Sequence, residues 1–170
     1  MVGEKFAIPG VGGIITKIIN KEEYILIQDR VKKGAEQEYG MIEIPAGKIR
    51  EYESIYDCLR REVYEETGYE VNTIVGEEKA EVIEQNNYKV INYEPFSSSQ
   101  NIEGEYPIMV QVFICTVKED ENDHKESNES KNIRWISLKK LAEMIKDKSQ
   151  FYPMHISTIE KYIRIKAEQA

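Results

Sequence analysis

The sequence predicts a mixed α/β fold, in which helices pack against a sheet of mixed strand direction. Three observations predict it. Residues Val11 to Ile19 are dominated by β-branched side chains, as a strand requires. From Glu53 to Thr67 the period changes, and Ile55, Leu59 and Val63 recur every four residues along one stripe of a helix. Beyond Gly68, β-type segments return without a strict strand–helix alternation, so strands and helices share one layered architecture.

Taken in order, Val11 to Ile19 is the first strand, and Asn20 to Glu23 reads as a turn. Tyr24 to Asp29 is a second strand, paired with the first as a hairpin. Residues 31 to 40 form a polar loop containing Gly34 and Gly40. Met41 to Ile44 is a short strand ended by Pro45. The helix follows, with Ser54 or Glu53 in its N-cap region and Gly68 where a C′ glycine stops it. Further β segments lie near 71–75, 80–83, 88–93 and 108–117. Pro95 to Gly104 between the last two reads as a polar loop of the kind that carries a binding surface. The acidic run Glu119 to Glu129, with His124 in it, reads as a solvated hairpin tip. Ile133 to Ile136 is a short strand. Ser137 caps a helix from Leu138 to Lys146 anchored by Leu141 and Ile145. Pro153 opens a C-terminal helix whose apolar face is Ile156, Ile159, Ile163 and Ala167.

Composition narrows the class. The 170 residues fit a single domain spanning 1–170, with 41% hydrophobic and 32% charged residues, which is an ordinary globular balance. No apolar run approaches the roughly 18–20 residues that cross a bilayer, and residues 1–13 carry Glu4 and Lys5 and lack the apolar stretch of a secretory signal. The expected location is the cytoplasm. A net charge of −8 gives no global attraction to nucleic-acid phosphates, so a nucleic-acid partner is not expected, and a polyanionic substrate needs a local cation. Cys58 and Cys115 are the only cysteines and read as core thiols.

The chemistry concentrates in the helix. Glu62 shares a face with Glu65 and Glu66 at spacings of three and four. Like charges so placed repel by about 0.2–0.5 kcal/mol per pair, and the macrodipole disfavours anions at a helix C-terminus. Three carboxylates gathered there suit a hard divalent cation, Mg²⁺, Mn²⁺ or Ca²⁺, with Mg²⁺ standing first and Mn²⁺ as its substitute. The stripe Ile55, Leu59 and Val63 fixes this face by packing on the sheet. Gly47, lacking a Cβ, lets the backbone approach the same ion. Arg61 lies beside the cluster, within reach of Asp57 or Glu65 along the helix or of Glu53 at its start.

The whole segment resembles the Nudix box: Gly47, five residues, Glu53, seven residues, Arg61-Glu62, Val63, one residue, Glu65-Glu66, one residue, Gly68 and Tyr69. Tyr69 stands where an aliphatic residue is usual. The segment from Arg134 to Leu138 before a helix is also similar to the family. The resemblance implies an α/β/α sandwich around a mixed β-sheet. It further implies metal binding by Glu62, Glu65 and Glu66 with the carbonyl of Ala46 or Gly47, and support from Glu53 and Arg61. The implied reaction is divalent-metal-dependent hydrolysis of a diphosphate linkage in a nucleotide-type small molecule, a nucleoside diphosphate joined to a further group. ADP-ribose or a nucleotide sugar stands first, because Ile44 to Ile49 is similar to the segment of those pyrophosphatases. Nucleoside triphosphates, dinucleoside polyphosphates, capped RNA and a non-catalytic metabolite sensor are the alternatives. The general base varies within the family, as a box glutamate or a loop glutamate outside it; Glu103 and Glu105 are the loop candidates. By the same analogy a homodimer is expected. Tyr88, Tyr93, Phe96 and Tyr106 flank the expected cleft, where a ring can stack on a base, but with eleven tyrosines scattered through the chain each reads first as an ordinary packing residue. Neither His124 nor His155 shows a catalytic partner.

Overall fold

The computed structural model describes residues 3–32, 34, 36–118 and 129–169. The expected hairpin tip, including His124, lies almost wholly outside these residues. Two long strands open the fold: β1 (Ile8–Ile19) and β2 (Glu22–Arg30), joined by a tight turn with positive φ at Asn20 and Lys21. Short strands β3 (Ile42–Glu43) and β4 (Ala46–Lys48) flank Pro45, and helix α1 (Ile55–Thr67) follows. Then come β5 (Val71–Ile74), β6 (Glu81–Gln85), β7 (Tyr88–Asn92), β8 (Ser97–Gln100), β9 (Ile108–Val117) and β10 (Ser130–Ser137). Helices α2 (Leu138–Met144) and α3 (Pro153–Gln169) end the chain's described part.

The main sheet has eight strands in the order β10-β2-β1-β9-β5, with β3 on β2, β4 on β1 and β8 on β9. Its central pair, β1 and β9, is parallel, and its other pairings are antiparallel. The alternation of β-strand side chains divides the core in two. Ile14, Ile25, Ile27 and Val112 face α2 and α3, where Leu141, Phe151, Met154 and Ile159 meet them. Ile15, Leu26, Phe113 and Cys115 face the other way, onto Ile55, Leu59 and Val63 of α1. The result is the α/β/α sandwich. Gly13 makes the α1 layer close: an added Cβ would lie 3.1 Å from Leu59 Cδ1 and 3.3 Å from Cys115 Sγ.

Helix boundaries follow local chemistry. Ser54 is the N-cap of α1, its hydroxyl accepting from the Asp57 N–H, and Gly68 ends the helix at φ 76° with its N–H on the Tyr64 carbonyl. Ser137 caps α2 in the same way through the Lys140 N–H.

Two expectations are corrected and one is extended. The polar loop 95–104 contains β8, a serine-rich strand with no strand-forming side chains of its own. It exists because β9 supplies its backbone partners and Thr158 Oγ1 bonds Ser97 Oγ at 2.8 Å. Pro45 ends β3, but the chain re-enters the sheet at once as β4 against β1. The buried face of α3 is Met154, His155, Thr158, Ile159 and Tyr162, with Ile156 and Ile163 at its margin. The helix is rotated from the reading based on isoleucine alone, because Tyr162 packs on Phe96 and Thr158 meets β8. Among the described residues no helix is long and apolar enough to cross a membrane.

Candidate active site

A cleft of about 450 Å³ opens at one end of the sheet. Its acidic side is carried by α1, which presents Glu62, Glu65 and Glu66, and by β3, which presents Glu43. The loop from β4 supplies Gly47, Lys48 and Arg50; β2 supplies Arg30; and Tyr106, Tyr152 and His155 come from the far parts of the chain.

Arg61 organises the box. Its Nε and Nη2 hold Glu53 at 2.7 and 2.8 Å, and its Nη1 holds Glu62 at 2.5 Å and Glu65 at 3.1 Å. Of the partners weighed from sequence, Glu53 and Glu65 are engaged, whereas Asp57 turns to Ser54. The bond from Arg61 holds the Glu53 carboxyl down at about 2. Gly47 lies directly beneath Glu62: a Cβ there would fall 1.9 Å from Glu62 Cδ, so no other residue fits without moving that carboxylate.

Glu66 is nearly inaccessible, 7% exposed, and its Oε2 accepts from Gln28 Nε2 at 2.9 Å and from the Ala46 N–H at 3.1 Å. Both donors are neutral. Burial, and then the nearby Glu43, push its pKa well above the ordinary carboxylate value. Burial also raises Glu62, against the opposing effect of Arg61. Glu43 sits between Gln28 Nε2 at 3.2 Å and Arg30 Nη1 at 2.9 Å.

The donor set fits a hard divalent cation: it is all carboxylate oxygen, and buried Glu66 has no cationic side chain as partner among the described residues. Glu62 and Glu65 are turned onto Arg61, and among the described residues no three His, Cys, Asp or Glu side chains converge on one point. Glu103 and Glu105 are exposed and line an adjoining depression that shares Tyr152 with the cleft, and they are not among the residues lining the cleft itself. Of the four aromatic residues placed at the cleft from sequence, Tyr106 lines it. Tyr93 and Phe96 border a different hollow, and Tyr88 is exposed at the turn end of the β6–β7 hairpin.

Sequence reasoning passed over Gln28, Arg30, Glu43 and Tyr152, and set His155 aside for want of a partner. A signal existed for two of them, since Gln28 directly follows the apolar run Ile25–Ile27 and Glu43 stands between Ile42 and Ile44, where a buried polar residue is informative. His155 is 1% exposed; its Nδ1 accepts from the Ile44 N–H at 3.3 Å. Burial and the Arg30 guanidinium lower its pKa to about 3, so the imidazole is neutral at pH 7.

The NUDIX domain family matches residues 9–155, and the chain belongs to that family. By fold and box it is a Nudix hydrolase, a pyrophosphohydrolase. The usual aliphatic position after Gly68 is filled by Tyr69, which is buried edge-to-face on Trp135 and accepts from its Nε1 at 2.9 Å. No curated protein matches the sequence. Solved structures share the fold at low identity. The NUDIX domain of Shewanella oneidensis NrtR complexed with ADP ribose is 14% identical, with a TM-score of 0.64, covering 94% of this chain and 88% of that one. A C. elegans Ap4A hydrolase is 14% identical, with a TM-score of 0.59 and coverages of 95% and 99%. The MutT protein of Methanosarcina mazei Go1 is 22% identical, with a TM-score of 0.58 and coverages of 96% and 97%.

Proposed function

We propose that the chain hydrolyses the diphosphate linkage of a nucleoside diphosphate joined to a further group, with ADP-ribose and nucleotide sugars as the first substrates to test. The observation that carries this reading is Glu66, a buried carboxylate without a cationic partner among the described residues, on the same cleft as Glu62 and Glu65. Glu62, Glu65 and Glu66, with the backbone at Gly47, would hold Mg²⁺ or Mn²⁺. The ion would neutralise phosphate oxygens and lower the pKa of a bound water.

The chain's own residues supply positioning. Arg61 holds Glu62 and Glu65 at set distances from Glu53, and Gln28 orients Glu66. Lys32, Lys48 and Arg50 line the cleft, where their charge draws an anionic substrate toward an otherwise acidic protein. With Glu103 and Glu105 not lining the cleft itself, a box glutamate would take the water's proton, and Glu65, half exposed, is the candidate. The free, buried thiols of Cys58 and Cys115, both pushed up to about 12 chiefly by burial, suit a reducing compartment such as the cytoplasm.

The test is a panel of ADP-ribose, nucleotide sugars, dinucleoside polyphosphates, nucleoside triphosphates and capped RNA, incubated with Mg²⁺ and again with chelator. Release of a nucleoside monophosphate that stops on chelation is the expected result. No turnover on any member by a folded protein that binds Mg²⁺ would replace the enzyme with a metabolite-binding module.

A further inference from the structure

His155 is buried, lines the cleft and takes no part in the box. Because its Nδ1 accepts the Ile44 N–H, the neutral ring must carry its hydrogen on Nε2. That Nε2 has no hydrogen-bond partner among the described residues. Buried N–H groups are rarely left so, since an unmade hydrogen bond costs the full desolvation of the donor.

A second unspent donor lies beside it. The Tyr152 ring meets the His155 ring edge-to-face at 5.2 Å, and the Tyr152 hydroxyl is 3.3 Å from that of Tyr106. Arg30 Nη2 donates to the Tyr106 oxygen. Two hydroxyl hydrogens therefore serve one hydroxyl–hydroxyl bond, and one hydrogen is left over. The acceptor alongside, Glu43, is already engaged by Gln28 and Arg30. Among the described residues this part of the cleft's lining thus offers two unspent donors, and the unpartnered acceptor nearby, Gln28 Oε1, belongs to a side chain that does not line the cleft. A nucleobase edge presents donors and acceptors together and does not match it; a phosphoryl oxygen, which only accepts, does.

We propose that His155 and the Tyr106–Tyr152 hydroxyl pair form a subsite for a phosphoryl oxygen of the substrate, separate from the box glutamates. This rests on the diphosphate reading above and adds to it a set of binding residues outside the box. The neutral imidazole gives direction, and Lys48, whose ammonium stands 5.9 Å from the centre of the Tyr106 ring, gives charge. His155 binds substrate here and moves no proton.

The experiment titrates α,β-methylene-ADP, a diphosphate the enzyme cannot cleave at that linkage, into the full chain with and without Mg²⁺. Wild type is compared with His155→Phe, His155→Gln and Tyr152→Phe, with thermal melts confirming the fold. His155→Gln keeps an acceptor for Ile44 and a donor for the ligand, and so guards against a merely structural loss. The expected result is binding weakened about tenfold in His155→Phe, about threefold in Tyr152→Phe and little in His155→Gln. The imidazole Nε2–H resonance of the wild type should also move on ligand addition. Mg²⁺-dependent binding that is equal in wild type and His155→Phe, with that resonance unmoved, overturns the subsite and leaves the diphosphate reading standing. Absence of Mg²⁺-dependent binding by the wild type overturns both.

Discussion

The Glu62 carboxylate occupies the space that a side chain on Gly47 would need, with Glu62 Cδ 1.9 Å from the place of a Cβ. Gly47 is not among the glycines at positive φ, so its backbone tolerates alanine and the whole conflict falls on the end of a flexible side chain. Gly47→Ala should therefore fold with a melting temperature close to wild type. Its turnover should fall by about 100-fold, the usual consequence of misplacing a catalytic group by about 1 Å. A melt and a turnover assay on the same preparation check this. Retained turnover would show that the position of Glu62 does not matter.

Glu66 predicts an opposition between stability and activity. Its charge is buried against neutral donors and near Glu43. Glu66→Gln removes that charge and keeps an oxygen for Gln28 and Ala46. In chelator the variant should melt at or above the wild-type temperature, while its turnover drops by about 10²–10³-fold. A variant that is both inactive and strongly destabilised would mean that the carboxylate serves the fold.

Cation binding should register without any substrate. A ligand that binds only the native state stabilises by about 2.7 kcal/mol at a hundred times its dissociation constant. Saturating Mg²⁺ should raise the melting temperature of the wild type, chelator should reverse the rise, and Glu66→Gln should show little of it. Equal responses in the two proteins would place the ion elsewhere.

His155 predicts an acid-labile fold. In the unfolded chain the imidazole takes up a proton near 6.5, but in the native protein only near 3. Between these values the unfolded state binds more protons, so stability is full above 6.5 and falls on acidification, by about 1.4 kcal/mol per pH unit. Glu53, held down at about 2, adds a loss in the lower window between its ordinary value and that figure. The raised carboxylates Glu43, Glu62 and Glu66 act in the opposite sense, but equally in wild type and variant. Denaturant unfolding between pH 7 and pH 5 should therefore show a steeper decline in wild type than in His155→Gln. Parallel curves would mean that native His155 titrates normally.

The box, its helix and the caps at Ser54 and Gly68 were legible because each depends on neighbours in sequence. Spacing of three and four sets which side chains share a helix face, and a glycine stop needs only its own backbone. Strand β8 was not legible, because its four residues are a strand only through β9. The face of α3 was misjudged because hydrophobicity alone favoured isoleucine, whereas a histidine, a threonine and a tyrosine found hydrogen-bond partners on the sheet side.

By itself the sequence determined the chemistry: carboxylates at helical spacing, an arginine among them and a glycine beneath. Only the tertiary structure decided what surrounds that chemistry. Gln28 meets Glu66 because β2 pairs with β3 so that Gln28 stands opposite Glu43, and His155 reaches the cleft because α3 begins against Ile44. Local periodicity says which face of an element is buried. Which elements then become neighbours is settled by covering both faces of one sheet, and that choice brings residues more than a hundred positions apart, such as Ile44 and His155, into one site.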